Sequence, residues 1–181
     1  MEKWKSIGVP TLVLTVISCL IAALLAVTYN VTGIANLGTG LSEDELKEYA
    51  PVLENCQQLT QAEYESEQKD LLGVYVNEDK TQFAMHIQTA GYAGKSKPIE
   101  ALVGFDQDGT IVNVMIVSCQ ETPGLGTKIE DAEYLKGYQG VSGSADGVDT
   151  ITGATISSKA LRNGVNFALG MFEEVKGEVL A

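Results

Sequence analysis

Residues 7–29 form a run of 23 positions without a single Asp, Glu, Lys, Arg or His. As a helix rising 1.5 Å per residue the run is about 34 Å long, enough to cross a hydrocarbon layer of ~30 Å with a little tilt. A soluble helix of this length needs a polar face, and this run offers only scattered Thr and Ser. The pattern predicts a single transmembrane helix over 7–29, preceded by a short cytoplasmic N-terminus, residues 1–6. Lys3 and Lys5 lie before the run, the next basic residue is Lys47, and Glu43, Asp44, Glu45 and Glu48 crowd that same region. The positive-inside rule therefore puts the N-terminus inside and the rest of the chain on the extracytoplasmic side of the cell membrane. Two competing readings fit less well. A cleaved signal peptide has a shorter apolar core and a small-x-small cleavage site, which the stretch after Tyr29 does not provide. Cleavage at a lipoprotein-like Val16-Ile-Ser-Cys19 would leave a mature N-terminus that is still a greasy helix.

Composition narrows the function. Twenty-four acidic against 12 basic residues, a net charge of −12, exclude a nucleic-acid partner, whose phosphates need a basic footprint. An apolar fraction of 45% excludes wholesale disorder. Three Cys and one His (His86) supply no disulfide framework, no metal-ligand cluster and no Ser-His pair, so no catalytic or metal-binding residue is assigned. Cys56 and Cys119 are expected as free thiols. Any chemistry is expected from a bound group.

Residues 30–42 are Gly-rich and uncharged and read as a linker; residues 43–181 read as an extracytoplasmic domain. Ser42-Glu-Asp-Glu45 has the form of a capping box, so a short helix is expected from Glu43, ended near Tyr49 by Pro51. Residues 54–70 show no period and are expected to be irregular or partly helical. The runs 71–76, 82–88, 99–105 and 110–117 are β-prone, with Asp106-Gln-Asp-Gly109 as a turn between the last two. In 110–117, strict alternation would put Val112, Val114 and Ile116 on one face and Ile111, Met115 and Val117 on the other, with both faces covered. Residues 131–136 suggest a short helix. From Ser157, Leu161, Val165, Ala168, Phe172 and Val175 recur at helical spacing; Gly164 and Gly170 within it suggest close packing on a sheet. The order predicts an α+β fold: an anchor, then an antiparallel sheet with flanking helices.

Two segments are candidates for chemistry. Asp149-Thr-Ile-Thr-Gly-Ala-Thr-Ile-Ser-Ser158 leads into the last helix. Either Thr155 or Ser157 caps that helix, or the small residues and open N–H groups hold a phosphate. Glu121-Thr-Pro-Gly-Leu-Gly126 follows the last strand. Its glycines either let a planar ligand approach or leave Leu125 as a plug over the sheet end.

Together, Thr152-Gly-Ala-Thr155 followed by Ile-Ser-Ser, Glu121-Thr-Pro-Gly-Leu-Gly126 and Gly91-Tyr92 resemble the covalent FMN-binding domain family. Within it the chain is similar to the G subunits of Rnf complexes, the membrane-bound ion-translocating ferredoxin:NAD⁺ oxidoreductases. The C subunits of Na⁺-translocating NADH:quinone oxidoreductases are close relatives, usually longer. The resemblance implies FMN as cofactor, esterified through its phosphate to the hydroxyl of Thr155 by a separate flavin transferase that uses FAD. It implies Thr152, Gly153 and Ala154 around the phosphate, and Glu121, Thr122, Leu125, Gly126 and Tyr92 along the ring. It also implies partners, the other membrane and peripheral subunits of such a complex, and a role as an electron relay on the outer face of the membrane. Family members often carry His where this chain has Cys119, so no role of that His transfers. A free-standing anchored flavoprotein, or an anchored domain in which Thr-Gly-Ala-Thr is only a helix cap, are the other classes the residues allow.

Overall fold

The computed structural model describes residues 11, 14–19, 21–22, 40–64 and 66–180. The chain divides into two units, Met1–Gly40 and Leu41–Ala181. In the first, the described residues 11, 14–19 and 21–22 are helical. The expected span 7–29 and linker 30–42 lie largely outside the described residues, and among those described no helix is long and apolar enough to cross a membrane.

The second unit opens with α1, Glu43–Glu48, under the expected capping box: the Ser42 hydroxyl accepts from the Glu45 N–H while the Glu45 carboxylate accepts from the Ser42 N–H. Pro51 sits in a 3₁₀ turn, Ala50–Val52, that ends the helical path. Five strands follow: β1 Thr60–Gln61, β2 Leu71–Val76, β3 Phe83–Thr89, β4 Ile99–Phe105 and β5 Ile111–Ser118. They pair antiparallel in chain order, β1-β2-β3-β4-β5. The described residues of 54–70 are irregular, as expected, apart from the two of β1. The turn before β5 is as expected: Gly109 takes φ +81° and the Asp106 carboxylate accepts from the N–H groups of Asp108 and Thr110.

The alternation expected for β5 is broken. Phe105 pairs with Ile111 but Gly104 with Asn113, so β5 carries an extra residue there. The bulge turns Ile111 to the face of Val114 and Ile116, in the core under the last helix, while Met115 and Val117 pack on the other side. Ile111 and Val114 are buried but the rest of β5 is only half-buried, so its two faces are not equally covered.

After β5 come a 3₁₀ turn, Gly126–Glu130, the short helix α2, Ala132–Leu135, with Asp131 as its N-cap, and α3, Thr155–Val179. α3 lies on one sheet face. There Phe172 stacks on Phe83 with ring centroids 5.5 Å apart and meets Phe105 at the same distance. A smaller core on the opposite face joins Val52, Leu53 and Leu59 to Tyr75, Ala84 and Leu102. Gly104 in β4 is required there, because a Cβ would run into the Val52 carbonyl oxygen. Gly164 matches the expectation of close packing, with Ile87 Cδ1 3.0 Å from where its Cβ would be; Gly170 does not, since nothing lies within 4 Å of it.

Candidate functional site

The segment between β3 and β4, the loop after β5 and the first turn of α3 meet at one end of the sheet. They meet because of Glu121. Its side chain, 4% exposed, accepts from the Tyr92 N–H (3.2 Å), from the Ala93 N–H (3.0 Å) and from the Ser157 hydroxyl in the first turn of α3. One carboxylate thus ties together three stretches that are 28 to 36 residues apart in sequence. Two glycines make room for it. A Cβ on Gly91 would strike the Glu121 carboxylate and Ile99, and one on Gly126 would sit 2.6 Å from Glu121 Cβ and 2.9 Å from Ser157 Oγ.

α3 begins two residues earlier than the periodicity suggests, at Thr155, and Ala154 is its N-cap with no side-chain cap bond. Capping by Thr155 or Ser157 is therefore corrected: Ser157 Oγ is turned to Glu121, and the Thr155 hydroxyl has no partner among the described residues. Ser158 Oγ donates to the Ala154 carbonyl and accepts from the Ile151 N–H. The Ser158 N–H closes the first helical bond onto Ala154. The N–H groups of Thr155, Ile156 and Ser157 have no acceptor among the described residues and sit at the positive end of a 25-residue helix.

A cavity of about 490 Å³ opens over this helix start, lined by ten residues. Glu121, Thr122, Leu125 and Gly126 form one wall, Tyr92 another, and Gly153, Ala154 and Thr155 the edge at the helix. Ile156 and Ser157 also line it, Ser157 expected from sequence only as a helix cap and Ile156 given no role. Ile156 followed the motif as filler, and Ser157 is recruited by a partner 36 residues away, which no local pattern reveals. Thr152 is exposed in the turn before the helix but does not line the cavity. In unit two the large apolar side chains left exposed among the described residues are Tyr92 (69%), Leu125 (50%) and Ile156 (57%), and all three stand on this cavity. An apolar rim gathered at one concavity is the mark of a binding site rather than of ordinary surface. Leu125 is thus no plug over the sheet end.

Residues 94–170 match the sequence model of the FMN-binding domain family. The G subunit of an ion-translocating oxidoreductase complex from Pasteurella multocida is 32% identical over 145 residues, 71% of this chain and 70% of that protein. The chain belongs to the G-subunit family of ion-translocating oxidoreductase complexes. The G subunit of the Na⁺-translocating ferredoxin:NAD⁺ oxidoreductase complex of Acetobacterium woodii is 26% identical over 200 residues, covering 95% of this chain and 94% of the relative. Among solved structures, the C subunit of a Na⁺-translocating NADH-quinone reductase from Parabacteroides distasonis aligns over 60% of this chain and 62% of its own, at 24% identity and a TM-score of 0.46.

The geometry of this G-subunit chain suits FMN. The open N–H groups at the start of α3 match a phosphate, the cavity has the volume of a cofactor pocket, and the Tyr92–Leu125–Ile156 rim is apolar enough for a flavin ring. Cys56 and Cys119 are half-buried and free, as expected. The Cys119 thiol is pushed above the ordinary range, chiefly by burial and further by the carboxylates of Glu130 and Glu121.

Proposed function

We propose that this chain is the electron-relay subunit of an Rnf-type ferredoxin:NAD⁺ oxidoreductase, carrying FMN esterified to Thr155 on the extracytoplasmic face of the cell membrane. The observation that carries the reading is the Thr155 hydroxyl: exposed, without a partner among the described residues, and lining the cavity beside three open N–H groups. The neighbouring hydroxyls of Ser157 and Ser158 are buried and committed to Glu121 and Ala154, so they are poor sites for modification. Thr152 is exposed but lies off the cavity.

In attachment, Thr155 Oγ forms the new bond to the FMN phosphorus of FAD on a flavin transferase. The diphosphate bond breaks, AMP leaves, and the hydroxyl proton passes to solvent. The N–H groups of Thr155, Ile156 and Ser157 then hold the phosphate oxygens. Gly153 and Ala154 keep the approach clear, with Thr152 in the turn before them. Tyr92, Leu125 and Ile156 exclude water from the ring beside Thr122 and Gly126, and Glu121 holds the walls in register. The cofactor supplies exchange of one or two electrons, and the ester keeps it from diffusing away outside the cell. NAD⁺ and ferredoxin are handled by companion subunits, and the anchor at 7–29 keeps the domain at the membrane.

The test is to produce the chain with a flavin transferase and read flavin fluorescence from the denatured band. Thr155→Ala abolishes it and Thr152→Ala keeps it. Retention in Thr155→Ala would refute the assignment.

A further inference from the structure

A cavity built to hold a free phosphate monoester normally presents a cation, most often the forked guanidinium of Arg. None of the ten residues lining this one is Lys, Arg or His. The titratable acid among them is Glu121, nearly wholly buried and bonded to the hydroxyl of Ser157, the third residue of α3. Its three hydrogen-bond partners all donate, so both oxygens act as acceptors, the role of a carboxylate. The helix start contributes about half a positive charge. The Glu121 carboxylate, bonded to Ser157 in that first turn, contributes a full negative one. The local balance is thus against a second negative charge, although N–H donors for phosphate oxygens remain open.

We propose that Glu121 makes this site selective for the singly charged phosphodiester of an attached flavin and against the doubly charged monoester of free FMN. The inference rests on the phosphate seat described under Proposed function and says what that seat discriminates. The monoester carries about −1.5 to −2 at neutral pH, whereas the ester to Thr155 has lost one ionisable oxygen and carries a single charge. The extra charge would enter the same cavity that Glu121 lines, at the helix turn where its carboxylate accepts from Ser157 Oγ, so the two negative charges oppose each other there. Free FMN therefore competes for the site less well than the esterified form, and the covalent bond rather than charge supplies retention.

The experiment uses unloaded full-length protein carrying Thr155→Ala, titrated by flavin fluorescence with two probes: FMN, and its methyl phosphodiester. The quantity read is the ratio of their Kd values. In Thr155→Ala the methyl phosphodiester should bind on the order of tenfold more tightly than FMN. Adding Glu121→Gln should bring the ratio close to one, whereas adding Ser157→Ala, which removes the hydroxyl and keeps the carboxylate, should leave it high. If Glu121 were only structural, Glu121→Gln would weaken both probes together and leave the ratio unchanged, which overturns the proposal. A ratio of one or below in Thr155→Ala, or failure of the phosphodiester to bind it, overturns it as well. Failure of the underlying reading is scored separately: covalent FMN on another residue of the wild-type chain refutes the Thr155 assignment whatever the ratio.

Discussion

The loop after β5 contains two glycines two positions apart, and alanine at each should have very different consequences. Gly124 takes φ +73° with nothing within 4 Å of a Cβ, so Gly124→Ala meets only the left-handed backbone penalty, about 1 kcal/mol. Gly126 faces the Glu121 seat. Its added methyl would lie 2.6 Å from Glu121 Cβ and 2.9 Å from both Glu121 Oε2 and Ser157 Oγ. These are not the loose ends of a flexible surface chain, because Glu121 is held from three directions. Overpacking a filled site costs about 1–3 kcal/mol. Displacing a carboxylate from bonds worth about 1.5–3 kcal/mol apiece adds to that. Gly126→Ala should therefore cost about 3–4 kcal/mol, a Tm lower by roughly 10 °C for a domain of this size, against roughly 3 °C for Gly124→Ala. Thermal unfolding of the two variants by circular dichroism gives both numbers. Equal Tm values for Gly124→Ala and Gly126→Ala would refute the claim that Glu121 is a fixed post around which the site is built.

Burial pushes the His86 imidazole down to about 4, against a smaller upward pull from Glu45, and neither ring nitrogen has a hydrogen-bond partner among the described residues. Its Nε2 lies 3.3 Å from Glu100 Oε2 without forming a hydrogen bond, and the neutral ring makes this contact no ion pair at physiological pH. Since the unfolded chain binds a proton near pH 6.5 and the folded one does not until about 4, stability is full above the higher value and falls as pH drops through that window. The loss is up to about 3 kcal/mol, less what the oppositely shifted Glu100 returns. Urea melts at pH 7 and pH 4.5 should show the loss in wild type and a much smaller one in His86→Leu; equal losses would refute it. Burial, with Glu78 beside it, pushes the Cys56 thiol up to about 11. Maleimide labelling at pH 8 should therefore run about two orders of magnitude slower at Cys56 than at an ordinary exposed thiol; a comparable rate would refute the shift. On intact cells or spheroplasts, added protease should cut within 43–181, and protection of that region would reverse the proposed topology.

Much of this fold could be read from local pattern, and what could not has identifiable causes. β2, β3 and β4 are carried by β-branched and aromatic runs, and α1 by Ser42 and Glu45 three positions apart, so their limits fall within a residue or two of expectation. β1 is two residues with no apolar signal and exists only because β2 pairs with it. The face reversal of Ile111 comes from a bulge, a property of pairing with β4 that β5 alone does not encode. The early start of α3 escaped because Ala154 gives no capping signature. Of the candidate site, eight residues line one cavity and Thr152 stands outside it. What local pattern withheld was the part played by Glu121: its partners are reached only once the chain is folded.

The central claim, FMN on Thr155, can be tested directly on protein isolated with its complex. Cleavage after Lys136 and Lys159 releases residues 137–159, one peptide that holds Thr152, Thr155, Ser157 and Ser158 together. Fragmentation mass spectrometry of that peptide then locates the modification. The account predicts the mass of FMN less one water on Thr155 alone; an unmodified peptide, or the increment on Thr152, Ser157 or Ser158, would contradict it.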